Sequence, residues 1–84
     1  MQTKSNLARN ELPERITIDS NIASGKPCIR GTRIWVSLII DNLASGISED
    51  EILSAYPSLE KDDIRAALAY VASLAHDRYV NLSG

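Results

Sequence analysis

The chain has no phenylalanine, and one cysteine, one histidine and one tryptophan in 84 residues. A lone Cys28 excludes an internal disulfide and any cysteine-cluster metal site. It also suits a reducing, cytoplasmic setting. The single His76 leaves no partner that could activate Cys28 as a nucleophile. Cys28 therefore reads as small apolar packing, and His76, near a helix end, as a complement to the helix dipole. Only Trp35, Tyr56, Tyr70 and Tyr79 are aromatic, so the core must be built from Ile, Leu, Val and Ala. No apolar run reaches the length of a membrane span. The N-terminal stretch is polar and lacks the apolar centre of a signal peptide.

Glu60, Asp62 and Asp63 lie close in sequence but on different sides of a helix, with no His or Cys beside them. No metal ligand set is expected there. No convergent acid, base and nucleophile can be assembled, so the chain is expected not to be an enzyme and to use no cofactor.

What is present is a sorted charge. The net charge is −2, which argues against coating nucleic acid by bulk electrostatics. Yet residues 20–40 carry +3, from Lys26, Arg30 and Arg33, and residues 41–63 carry −6. Such a dipole predicts two faces for two partners. The length allows one small domain. A domain of this size buries little surface alone, so dimerisation or docking is expected.

Residues 1–12 show no periodicity and read as a flexible or partner-ordered arm ending at Pro13. Residues 13–78 form the domain, and residues 79–84 a tail. Ile16-Thr17-Ile18 alternates like a short strand. Cys28-Ile29-Arg30 and Thr32-Arg33-Ile34 flank Gly31, which predicts a tight hairpin with a positive φ at the glycine. Val36, Ile39, Ile40 and Leu43 make one helical face, ended by Gly46 as a left-handed cap. Ser48 and Glu51 form a capping box for a second helix, with Ile47 and Ile52 placed as a staple. Pro57 ends that helix near Tyr56. Ile64, Ala67, Leu68, Val71, Leu74 and Ala75 make the stripe of a third helix, starting at 60–62 and ending near Asp77. The predicted fold is small α+β and mainly helical: a short β-hairpin followed by a three-helix, helix-turn-helix-like module.

Several segments of this layout look familiar together. They are Ile16 to Ile18, Gly25-Lys26-Pro27-Cys28-Ile29-Arg30-Gly31-Thr32-Arg33-Ile34, Gly46, Asp50 to Leu53, Tyr56-Pro57-Ser58-Leu59, and Asp63 to Leu68. From about Arg15 to Ala75 the chain resembles the domain-of-unknown-function family numbered 433. The resemblance implies a winged or simplified helix-turn-helix protein, similar to VapB-type antitoxins. It implies a PIN-like ribonuclease toxin as partner, and repression of the operon by a dimer bound to promoter DNA. Two positions depart from the family pattern. Trp35 stands where proline is common. Glu60 stands where Ser or Thr commonly caps the third helix, so Ser58 would have to cap it or its first turn would fray.

For DNA contact, the third helix begins Glu60-Lys61-Asp62-Asp63, where carboxylates oppose phosphates. Only Lys61 and Arg65 could reach DNA from that helix. Lys26, Arg30 and Arg33 are better phosphate ligands, doubled by dimerisation. The competing reading pairs these arginines with the protein's own acids. The acidic clusters read first as helix-start chemistry and second as a toxin-facing surface. Leu7, Leu12, Tyr79, Val80 and Leu82 are the candidate partner-binding anchors, with disorder or packing on a dimer mate as the alternative. The alanines of the third helix suit either close helix–helix dimerisation or plain helix propensity. The competing function is a non-catalytic protein-interaction domain of the same fold that binds no DNA.

Overall fold

The structure, a computed structural model, describes residues 9–77. A 3-10 helix, Arg9–Arg15, leads into strand β1, Ile16–Thr17. β1 pairs antiparallel with β2, Cys28–Ile29, placing Ile16 opposite Ile29 and Thr17 opposite Cys28. Three helices follow: α1, Val36–Ala44; α2, Glu49–Ala55; and α3, Lys61–Asp77. This is the small, mainly helical α+β fold predicted from the sequence.

The turn at Gly31 forms with φ +81°. The Ile29 N–H donates to the Ile34 carbonyl and the Thr32 N–H to the Ile29 carbonyl, both at 3.0 Å. The returning arm differs from the expected strand. It reaches the ladder only through one bridge, Cys28 opposite Trp35. The Thr32 hydroxyl takes the place of further backbone pairing: it donates to the Ile29 carbonyl at 2.7 Å and accepts from the Ile34 N–H at 2.9 Å. β2 instead finds its ladder partner in β1, across a connection that contains a left-handed turn. Ala23, Ser24 and Gly25 all have positive φ there, 52°, 57° and 86°. Cys28 and Ile29, held from both sides, are buried.

The helix ends follow local rules. After α1, Ser45 is followed by Gly46 at φ +94°. The Gly46 N–H donates to the Leu43 carbonyl and the Ile47 N–H to the Asn42 carbonyl, at 3.0 and 2.9 Å. These two bonds define a Schellman ending. A Cβ at Gly46 would meet no atom within 4 Å, so Gly46→Ala tests backbone strain alone. It should cost about 1–2 kcal/mol in a urea titration.

The capping box also forms. The Glu51 N–H donates to Ser48 Oγ at 3.1 Å, and the Ser48 N–H donates to Glu51 Oε1 at 2.9 Å. The Ser48 backbone bond, followed by its side chain, holds the Glu51 carboxyl below its ordinary range. A depressed carboxylate stabilises the fold above its unfolded pKa, and that contribution fades as pH falls through the folded value. Glu51→Gln keeps an acceptor for the box but should flatten the acid limb of a stability–pH curve below about pH 4.5 and lower neutral stability by the contribution the carboxylate made.

The core is Ile29, Val36, Ile39, Ile52, Leu59, Ile64 and Ala67. It lies between the ladder and the three helices. Pro57 stops α2 and keeps Tyr56 out of the helical region, at φ −126° and ψ 81°. The turn after it delivers Leu59 into the core, with the Leu59 N–H donating to the Tyr56 carbonyl at 2.9 Å. The α3 stripe is covered only in part. Ile64, Ala66 and Ala67 are buried, whereas Leu68 and Leu74 remain 44% and 45% exposed.

Candidate nucleic-acid interface

Lys26, Arg30 and Arg33 are all exposed. Among the described residues none of the three joins an ion pair. The fold explains this. Arg15, not Arg30 or Arg33, answers the α3 carboxylates Glu60 and Asp63. Lys26 Nζ sits 5.0 Å from the centre of the Trp35 ring, a cation–π contact. Arg33 and Trp35 are exposed while Ile34 between them packs on the core. This is the alternation of extended backbone, so Arg33 and Trp35 share one face.

The α3 cations are placed differently. Lys61 is exposed on the first turn. Arg65 Nη1 donates to Asp62 Oδ1 at 3.0 Å, one turn back on the same helix. Arg65 borders a shallow groove with Leu12, Leu68, Ala69 and Ala72, while Arg33 borders another with Thr17, Ile22, Gly31 and Thr32. The five cations proposed for DNA are thus not gathered into one groove. Lys26, Arg30 and Arg33 share the turn segment, with Lys26 and Arg33 on different grooves, and Lys61 and Arg65 lie on α3.

Sequence reasoning missed Arg15. Its Nη1 donates to Asp63 Oδ1 at 2.8 Å and to Glu60 Oε1 at 3.2 Å. The bond to Asp63 is the main cause that raises the Arg15 pKa above its ordinary value. Asp63, a buried acid, also accepts the Glu60 N–H through Oδ2 at 2.8 Å, and the Asp63 N–H donates to the Glu60 carbonyl at 2.9 Å. Asp63 therefore supplies the reciprocal arm of a capping box, fixing the Glu60 N–H at the start of α3. The only sequence signal was an acid three residues into α3 and an unassigned arginine before β1.

Leu12 requires a correction. It was expected as an anchor on a free arm, but it is 2% exposed. The 3-10 helix packs it against α3, so the domain extends N-terminal to the expected boundary at Pro13. Leu7, Tyr79, Val80 and Leu82 lie outside the described residues. Ala66 and Ala67 are buried within the chain, which leaves only the outer alanines of α3 for any close contact between helices. Among the described residues no helix is long and apolar enough to cross a membrane.

Comparison with known proteins supplies the family. A solved structure described as a DUF433 member protein from Anabaena variabilis superposes with a TM-score of 0.71 at 29% identity, covering 81% of this chain and 67% of that one. An uncharacterized protein of Sinorhizobium fredii, y4eO, is 39% identical over 57 residues, which are 68% of this chain. The chain spans about a quarter of that relative's length, 26%. The family model "Protein of unknown function (DUF433)" matches residues 16–71. That span holds the ladder, the Gly31 turn, α1, α2 and the buried part of α3, and by it this chain belongs to the DUF433 family.

Proposed function

We propose that the chain is a cytoplasmic antitoxin of a type II toxin–antitoxin pair. It neutralises a PIN-like ribonuclease and, as a homodimer or higher oligomer, represses its own operon by binding promoter DNA. The observation that carries the DNA half is the exposure of Lys26, Arg30 and Arg33 with no ion pair among the described residues. Phosphate contact needs cations that are not already answered by the protein's own acids. The α3 start is a poorer contact, because Arg65 is engaged by Asp62 and the neighbouring carboxylates remain there. The toxin half rests on the resemblance to VapB-type antitoxins.

The test is a promoter mobility shift across a salt series, with and without the co-expressed ribonuclease. Six turn cations per dimer give a log–log slope of affinity on salt of at most about −5. A shift with no salt dependence, or none at all, would end the DNA half. One observation favours the alternative, a protein-interaction domain without DNA binding. Leu68 and Leu74 stay exposed on two different flanks of α3, apolar surface that suits a protein partner. Co-purification of the ribonuclease without any promoter shift would select that reading.

A further inference from the structure

Trp35 has no structural task that requires tryptophan. It occupies the N-cap of α1 yet makes no side-chain capping bond, at a position where Ser, Thr, Asp or Asn is preferred. It is not core, being 41% exposed. Its ring borders an open groove of about 440 Å3 shared with Leu38, Asp41, Asn42 and Tyr56. Lys26 contacts the ring from one side, and Arg33, two residues before it, lies on the same extended face.

From this arrangement we infer that Trp35 is a stacking platform for an unpaired nucleobase, so that promoter DNA held by the basic turn is locally unpaired where it meets Trp35. The inference rests on reading the turn as a nucleic-acid contact. Cations that track a backbone beside an aromatic face are the recurring design for single strands, because every base offers a π-face. A base paired inside a duplex cannot present that face to a side chain. The groove chemistry agrees. Asp41 lines both this groove and the one that Lys26 borders, which disfavours phosphate there, so a neutral base enters and its phosphates fall to Arg33, whose own groove holds no acid. Asn42 Nδ2 donates to the Leu38 carbonyl at 2.9 Å, which leaves its carbonyl oxygen to accept from a base amino group.

Trp35 is the only tryptophan, so intrinsic emission reads the site directly in the unmodified chain. The probes are oligothymidylate, oligouridylate of equal length, and the promoter as duplex. Either single strand should quench Trp35 emission on binding, and the tighter of the two identifies DNA or RNA as the source. Trp35→Ala should weaken single-strand binding roughly 5- to 100-fold, and Trp35→Phe should retain most of it. Salt-sensitive binding that leaves Trp35 emission unchanged overturns the platform and spares the basic turn as a contact. So does binding that is equally tight in a folded Trp35→Ala variant. No binding to any of the three probes overturns both.

Discussion

Asp63→Ala should lower the thermal midpoint of the domain by roughly 10–20 °C, an effect of about 2–3 kcal/mol. The loss has two sources. One is the cap on α3, where Asp63 Oδ2 accepts the Glu60 N–H, typically about 1 kcal/mol. The other is the partly buried ion pair with Arg15, at 2.8 Å. Removing Asp63 leaves Arg15 only the exposed Glu60 carboxylate at 3.2 Å, so part of the cost of an unanswered, partly buried charge appears. The Arg15 side chain keeps 25% exposure, so water recovers part of that penalty and the upper end for buried pairs is not reached. A chain this short has roughly 4–13 kcal/mol of stability in all, so the loss is a large share. Asp63→Asn keeps an acceptor for the cap and loses the charge, and should fall between wild type and alanine. A double-mutant cycle with Arg15→Met isolates the pair. A change within about 0.5 kcal/mol for Asp63→Ala would mean that the contact is ornamental. The raised Arg15 pKa bears only on strongly alkaline solution. The folded arginine holds its proton more tightly than the unfolded one, so its contribution is complete at neutral pH and fades only above the usual arginine range.

Arg30→Ala with Arg33→Ala should weaken promoter binding roughly a thousandfold at about 0.15 M salt. A dimer loses four phosphate contacts, and each is worth about 0.7 of a decade at that ionic strength. The slope on salt should fall from about −5 to about −2, the remainder belonging to Lys26. The fold should survive, since both side chains are exposed and outside every ion pair of the described residues. Intact promoter binding by a folded double variant would remove the turn from the interface. Lys61 and Arg65 would then be the cations to test.

What the sequence made legible was local. The Ser48–Glu51 box, the Gly46 ending, the Pro57 stop and the positive φ at Gly31 each depend on residues within one turn of chain. Their chemistry has few alternatives. The extents of α1, α2 and α3 followed from apolar spacing for the same reason. The pairings over distance were not legible. Arg15 and Asp63 are 48 positions apart, and nothing in either neighbourhood names the other. The pairing of β1 with β2 was not anticipated: the sequence pairs residues 28–30 with residues 32–34, and Ala23 and Ser24 give no sign of left-handed backbone, which glycine or asparagine would have signalled. Leu12 was misread because helical spacing fails in a short 3-10 helix that contains Pro13. At the candidate interface the identity of the cations came from sequence. Their lack of ion pairs among the described residues did not, because that depends on Arg15 answering the carboxylates of α3 first.

Cys28 gives the molecule a built-in clock. Its thiol has no exposed surface and its Sγ donates to the Lys26 carbonyl at 3.4 Å. A thiol reagent can reach it only when the segment that carries the turn cations comes away from the core. The rate of alkylation in native buffer therefore counts those openings, without any added label, and a ligand that grips the basic corner must slow the count.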